Sequence, residues 1–272
     1  MKRGSLCIVA TIILAAPALA NPYMHQIITT SWPGLSGLYM IPTARTLKAG
    51  QVAMGFNEAK HAENVEDGRY VDRQIRGVVT WGVSDCWEVY GSYYNDLFTV
   101  PPGVEPQLSN QSFATFGFKY RIMQEDSHYW FPTVAVGVRD IGNSENEVGP
   151  LEGVHNGRKL FILASKKLLK SEELGRFMDV HAGVTLDSQT TAAMLGFELT
   201  LTPSVSLIAE GMWDSPFINY REYGRNDVAG KYIFDVGIRM YPELVPGLVL
   251  DTGFVGDGEF EFSFGVSYVM GL

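Results

Sequence analysis

After its first twenty residues, the 272-residue sequence has no run of about 18 consecutive apolar residues, the length that a transmembrane helix needs. A helical membrane span is therefore excluded for that part of the sequence. The sequence also lacks a Gly-x-Ser-x-Gly hydrolase motif, a phosphate-binding loop and a paired metal-ligand motif. We accordingly predict no metal site and no cofactor.

Cysteine and basic residues are scarce. Cys7 lies within the first twenty residues and Cys86 is the only cysteine beyond them, so no intramolecular disulfide is expected once that stretch is removed. When Lys2 and Arg3 are set aside with the same stretch, 19 basic residues stand against 30 acidic ones, a net charge of −11. That balance argues against a nucleic-acid partner.

Residues 1–20 have the pattern of a cleaved secretory signal peptide. Two basic residues precede an almost unbroken apolar stretch from Leu6 to Ala20, and Ala18-Leu19-Ala20 is an A-x-A cleavage signature. The alternative is an uncleaved membrane anchor, but the stretch is short and ends in small residues. We therefore predict that the mature chain begins at Asn21 and is exported across the inner membrane.

Alternation of bulky apolar residues with small or polar residues recurs about a dozen times, as in the segment 260–270. Segments of about ten residues are long enough to cross a bilayer as tilted strands. The 29 glycines, 13 tyrosines and 15 phenylalanines suit a barrel with small inward residues and aromatic girdles. The predicted strands cover 51–57, 73–83, 86–95, 112–122, 130–140, 158–167, 178–187, 192–202, 205–214, 231–241, 248–255 and 259–270.

Long and short connections alternate along the predicted strands. A long polar loop is predicted through His61, Glu66 and Asp67, and others at 101–110, 142–157 and 215–230, whereas 82–85 and 202–204 are tight. Outer-membrane barrels have short periplasmic turns and longer external loops. The links 168–176 and 188–191 depart from this rule, and a soluble periplasmic β-sandwich is the alternative.

The pattern predicts a transmembrane antiparallel up-and-down β-barrel of about 12 strands over residues 49–272, in a bacterial outer membrane. Its expected partners are outer-membrane lipid and the barrel-assembly machinery. If the bulky faces point outward, two groups of charged residues face the lumen. The first wall is mainly basic, with Arg76, Lys119 and Arg139 beside Glu88; the second is mainly acidic, with Asp179, Glu198, Glu210, Asp214, Asp235 and Asp251 beside His181 and Arg239.

These walls allow two interpretations. Opposed charges across an open lumen would create a transverse field that favours hydrated, polar permeants. Alternatively, salt bridges would close the lumen, and a barrel of about twelve strands is narrow enough for that. The sequence leaves both open.

The segment 37–50, Gly-Leu-Tyr-Met-Ile-Pro-Thr-Ala-Arg-Thr-Leu-Lys-Ala-Gly, resembles the N-terminal motif of the YjbH-like family. That motif has a Gly-Leu pair, a Pro-Thr-Ala-Arg unit and a glycine-containing turn into the first strand. The matching residues here are Gly37, Leu38, Pro42, Thr43, Ala44 and Arg45.

A second, weaker match lies at 207–214, which resembles the family's Ile-Ala-Glu-Tyr-Asp strand. Here Gly211 and Met212 intervene and Trp213 replaces the tyrosine. The resemblance implies an outer-membrane barrel associated with exopolysaccharide production and without established enzymatic activity.

We predict that residues 21–48 fold into the barrel mouth as a plug, with Arg45 paired to inward acids such as Glu210 or Asp235; a periplasmic tail is the alternative. The expected function is non-enzymatic: a narrow channel or envelope component for exopolysaccharide production or export. Polysaccharide or periplasmic export components would then be its partners. The alternative is an outer-membrane hydrolase of lipid or peptide that uses His181 with Asp179 and Glu198.

Overall fold

The computed structural model describes residues 29–31, 35–65, 68–99, 111–125, 130–141, 159–171, 176–186, 191–213, 232–256 and 261–271. No helix in this part of the chain has the length and apolar character to cross a membrane. The chain begins with two short paired strands, β1 (Thr29–Thr30) and β2 (Ser36–Gly37). Twelve longer strands follow: β3 (Val52–Val65), β4 (Gly68–Ser84), β5 (Trp87–Thr99), β6 (Gln111–Met123), β7 (Thr133–Arg139), β8 (Lys159–Ser171), β9 (Arg176–Leu186), β10 (Thr191–Thr202), β11 (Val205–Trp213), β12 (Tyr232–Met240), β13 (Leu248–Gly256) and β14 (Glu261–Met270).

The twelve strands β3 to β14 form a closed antiparallel barrel in which each strand pairs with its neighbours in the chain. The last strand closes the ring by pairing with the first, with Tyr268 opposite Met54. Closure removes the free sheet edges that hydrocarbon cannot solvate. The predicted antiparallel up-and-down barrel of about 12 strands is thus confirmed. We call the end that contains Val52 and Met270 the proximal rim.

Burial alternates along the strands with the period of two that the sequence shows. In β10, exposed and buried residues alternate over almost the whole strand. Large apolar side chains such as Trp213, Phe234, Val236 and Phe254 are exposed on the outer face, where lipid would contact them. Val205, which the alternation predicts on this face, is instead buried; it follows a register shift between Thr200 and Thr202.

Several strand ends differ from the prediction. The expected long loop through His61, Glu66 and Asp67 is wrong, since β3 and β4 pair as far as Val65 and Gly68. The hydrogen bonds between two antiparallel strands join backbone groups and do not depend on the side chains. The pair β3 and β4 can therefore continue beyond the residues that alternate in the sequence. For the same reason the link predicted at 168–176 shortens to 172–175, because β8 continues to Ser171.

Candidate functional site

The N-terminal segment from Leu35 to Leu47 lies inside the barrel. Local hydrogen bonds fold residues 36–43 into a tight hairpin, in which Gly37 is paired with Pro42. The N–H of Leu38 donates to the carbonyl of Ile41 (3.0 Å), and the N–H of Thr43 donates to that of Ser36 (3.1 Å). A Cβ atom on Gly37 would collide with the backbone of Ile41 and Pro42, so this position needs glycine. Gly50, with φ of 81°, then turns the chain into β3.

Apolar side chains of this segment complete a core within the lumen. Leu35, Leu38, Met40 and Ile41 are each 1% exposed. They belong to one apolar cluster with inward residues of the wall: Tyr90, Ala135, Phe161, Leu163, Met194, Ile208, Met212 and Val255. Burial of a side chain of this size is worth about 1.5–3 kcal/mol, so the segment is held partly by ordinary core packing.

Glycines of the wall make room for the segment. A Cβ atom on Gly196 would meet the side-chain ends of Ile41 and Leu38 at 2.6 and 2.7 Å. Three further wall positions show the same crowding: Gly55 against Thr30, Gly82 against Leu47 and Lys48, and Gly265 against Tyr39. Any larger residue at these four positions would push against the segment or, at Gly55, against Thr30 in the short strand that precedes it.

A buried ion pair on β5 and β6 binds one side of the segment. Lys119 Nζ lies 2.9 Å from a carboxylate oxygen of Glu88, and neither side chain is exposed. The carboxylate accepts the backbone N–H groups of Ser36 (2.9 Å) and Leu47 (3.1 Å). The ammonium donates to the carbonyls of Ser36 (2.9 Å) and Thr43 (2.8 Å). A buried pair is tolerated only when its remaining groups are hydrogen-bonded, and the segment supplies those bonds.

Glu210 on β11 binds the opposite side of the segment. Its carboxylate accepts three successive backbone N–H groups, from Tyr39 (2.9 Å), Met40 (3.0 Å) and Ile41 (2.8 Å). Successive N–H groups that converge on one anion form a backbone nest. Charge-assisted bonds of this kind are stronger than neutral ones, which makes Glu210 a second anchor.

Arg45 pairs with an inward acid of the predicted acidic wall, but the partner is Asp179 and not Glu210 or Asp235. Its Nη2 atom lies 2.7 Å from a carboxylate oxygen of Asp179. Glu210 is already occupied by the nest, and Asp235 lies next to it on β12 in the strand register. Burial lowers the pKa of Arg45, but Asp179 more than offsets this and raises it, so the guanidinium stays charged.

His181 lies inside the ion-paired lumen, beside a hydroxyl group. Its Nδ1 atom is 2.8 Å from Ser165 Oγ, which in turn accepts the N–H of Ala44 (2.9 Å). Both His181 and Ser165 are 2% exposed. A serine nucleophile needs room for its substrate, and here the N-terminal segment covers it, so this geometry does not favour the hydrolase alternative.

The structure also locates the remaining residues of the two predicted walls. Arg239 forms a two-pronged pair with Asp251 (2.8 and 3.0 Å), and Glu198 accepts the hydroxyl of Tyr241 (2.8 Å). Each wall therefore contains its own ion pair, Lys119 with Glu88 and Arg239 with Asp251. Arg76, Arg139 and Asp235 are buried on the inner face, while Asp214 lies outside the described residues.

Sequence reasoning did not identify the apolar and hydroxyl groups of the lumen. The run Leu160-Phe161-Ile162-Leu163 in β8 is apolar on both faces, whereas a strand between lipid and water should alternate. A run of this kind indicates that apolar groups cover the strand on its inner face as well as on its outer face. Phe161 and Leu163 indeed point inward and belong to the lumen cluster.

Comparison with known proteins agrees with the N-terminal motif. Residues 29–145 match the family model YjbH, described as exopolysaccharide biosynthesis protein YbjH. This part of the chain is similar to that family. The matched region includes the buried segment, its turn at Gly50, and Glu88 and Lys119. No curated protein matches the chain significantly.

Solved structures with similarity to this chain are barrels. The outer membrane protein Omp33 of Acinetobacter baumannii is 11% identical, with 82% of this chain and 98% of that chain covered and a TM-score of 0.40. The translocator domain of the autotransporter NalP from Neisseria meningitidis is 9% identical, with 81% and 87% covered and a TM-score of 0.39. A triple mutant of Rhodopseudomonas blastica porin is 9% identical, with 81% and 99% covered and a TM-score of 0.34. Values this low carry no functional argument, so the fold rests on the strand pairing itself.

Proposed function

We propose that the protein is a non-enzymatic outer-membrane barrel whose lumen is closed at rest by its N-terminal segment. Displacement of the segment opens a narrow channel that serves exopolysaccharide production or export. The mature chain begins at Asn21 after the signal peptide is removed, and residues 21–48 act as the plug. The proximal rim faces the periplasm, where export components can reach the segment.

One observation carries this proposal: the segment is bound on both sides of the lumen at once. Glu88 and Lys119 lie on β5 and β6, and Glu210 lies on β11. Arg239 on β12 donates to the carbonyl of Gly37 (3.4 Å). In the closed ring β5 is six strand positions from β11, which is the opposite side of a twelve-stranded barrel. A segment that reaches both walls obstructs passage between them.

The attachments suit a closure that can be reversed. Backbone N–H groups that leave Glu210 or Glu88 can exchange their bonds for bonds to water, so the net free energy of each is modest. The vacated wall would present Glu88, Lys119, Glu210 and the Ser165 hydroxyl, together with the Tyr90 ring. Charged and hydroxyl groups on a pore wall favour hydrated solutes over apolar ones, as a polysaccharide route requires.

The experiment is single-channel recording in planar bilayers after deletion of residues 21–48 behind an intact signal peptide. We expect higher conductance than in the full chain, and greater sensitivity of cells to bulky antibiotics. The matched control deletes residues 21–28 alone and should conduct like the full chain. Heat-modifiable migration on gels checks that each barrel has folded.

Two outcomes would contradict the proposal. A folded barrel that lacks residues 21–48 and conducts no better than the full chain would make the segment a tail or an assembly signal. A chain that remains soluble in the periplasm after cell lysis would replace the membrane barrel with a soluble one.

A further inference from the structure

Asp179, His181 and Glu198 form a compact cluster on the inner wall. Asp179 pairs with Glu198 in the register of β9 and β10, and His181 follows two residues later on β9, so all three share the inner face. One ligand atom of each residue lies within 4.8 Å of the others, and all three residues are buried. Two carboxylates with an imidazole are a ligand set that divalent transition cations bind.

The imidazole gives a second, independent indication of a ligand. Nδ1 is 2.8 Å from Ser165 Oγ, and such a bond orients a histidine that ligates through its other nitrogen. Within the part of the chain that the structure describes, Nε2 has no hydrogen-bond partner, although the residue is 2% exposed. A buried ring nitrogen without a partner costs free energy, which a bound cation would offset.

The Arg45 guanidinium now supplies positive charge to this cluster. Its side chain is 27% exposed, while that of Asp179 is 1% exposed. Arg45 is thus the partly exposed partner of a buried carboxylate near the start of β9, which begins at the proximal rim. Arg239 approaches Glu198 less closely, at 3.8 Å. If the Arg45 side chain swings out, Asp179 loses its ion pair and becomes a buried charge in need of a counterion.

We propose that Asp179, His181 and Glu198 form a site for a divalent transition cation such as Zn²⁺, for which Arg45 is the built-in competitor. The three side chains supply three ligands and leave a fourth position for water. Zinc bonds to nitrogen and oxygen are about 2.0–2.2 Å long, so the ligand atoms close in when the guanidinium leaves. These are side-chain movements of Arg45 and the three ligands, and the backbone of the N-terminal segment stays in place, so the site does not depend on channel opening.

The test measures Zn²⁺ binding to the full mature chain in detergent, by competition with a chromophoric zinc chelator. Arg45→Gln removes the competing charge and should bind Zn²⁺ at least about tenfold more tightly than the wild type, because it frees Asp179 and removes repulsion. Adding His181→Ala to Arg45→Gln should abolish that gain. Arg73→Gln is the matched control, since Arg73 pairs with Glu58 (2.7 Å) away from the cluster; it should bind like the wild type.

The measured Zn²⁺ affinities can contradict the proposed site in two ways. Equal affinity of the wild type and Arg45→Gln would overturn it, and so would an Arg45→Gln gain that persists without His181. If Arg45→Gln does not fold, the comparison moves to the wild type and His181→Ala at higher Zn²⁺ concentration. The wild type should then bind one ion more than His181→Ala, and equal binding would overturn the site. Neither result bears on the conductance test of channel closure.

Discussion

The outer and inner faces of the barrel are made from the same strands but follow different rules. On the outer face, side chains such as Phe254 and Phe262 are exposed and meet a uniform apolar solvent. On the inner face, charges, hydroxyls, apolar groups and glycines are arranged around one particular segment of the chain. The outer face therefore tolerates any apolar residue, whereas the inner face depends on specific partners.

The largest effect should come from the inner face, at Lys119. Lys119→Met leaves Glu88 as a buried charge without its cation, which should destabilise the barrel by about 3–5 kcal/mol. The free energy of unfolding, measured by urea titration of the protein in lipid vesicles, reports the change. Arg73→Met, at an exposed ion pair, is the control and should have no measurable effect. If Lys119→Met lowers the free energy of unfolding no more than Arg73→Met does, the inner face does not depend on specific partners. Adding Glu88→Gln to Lys119→Met should restore part of the stability.

The outer face should respond to charge alone. Val236 is 50% exposed on the outer face of β12, and Val236→Arg should cost about 2–4 kcal/mol if it faces the middle of the bilayer. Leu244, 90% exposed in the turn between β12 and β13, provides the control. Leu244→Arg should leave the free energy of unfolding in vesicles unchanged. Equal costs at the two positions would mean that the β12 face does not contact lipid.

Glycines on the two faces should respond differently to a larger side chain. The side-chain ends of Ile41 and Leu38 can shift for a single methyl group, so the test uses the larger Gly196→Leu. Overpacking of this kind should cost about 1–3 kcal/mol, loosen the segment and increase the frequency of channel openings. Gly77→Leu is the control because Gly77 faces outward, with its nearest contact at 3.9 Å. An unchanged frequency of openings in Gly196→Leu would argue that the segment does not rest against this wall.

The smallest effect concerns one hydroxyl of the segment. Tyr39 donates to the backbone carbonyls of Glu58 (2.7 Å) and Phe264 (3.1 Å). Tyr39→Phe should therefore destabilise the barrel by about 1 kcal/mol at neutral pH. Burial, followed by the Asp235 carboxylate, raises the pKa of Tyr39 well above its ordinary value, so the folded protein keeps this proton.

The sign of the pH dependence follows from that shift. The unfolded chain loses the Tyr39 proton near pH 10, whereas the folded chain holds it. The stability that the hydroxyl contributes is fully present below that pH and declines as the pH rises above it. The difference in unfolding free energy between the wild type and Tyr39→Phe should accordingly shrink between neutral pH and about pH 11. A difference that grows over this range would contradict the buried, neutral hydroxyl.

The two faces also differ in how far the sequence predicts them. A period of two identifies which residues face lipid, so the barrel and most outward residues follow from the sequence. The period of two does not identify the level along the barrel axis at which an inward side chain contacts its partner. Arg45 therefore pairs with Asp179, and Glu210 binds backbone N–H groups, because the path of the segment decides these contacts. The inward cluster around Phe161 was missed because its partner lies far away in the sequence.

We claim that the N-terminal segment occupies the lumen and closes it. The most direct measurement joins Ala44→Cys to Ser165→Cys in a Cys86→Ser background, since the Ala44 nitrogen is 2.9 Å from Ser165 Oγ. We expect the disulfide to form in the folded barrel, to suppress openings in planar bilayers, and to release them on reduction. A folded barrel in which the disulfide does not form, or which opens equally often when oxidised and reduced, would contradict the claim.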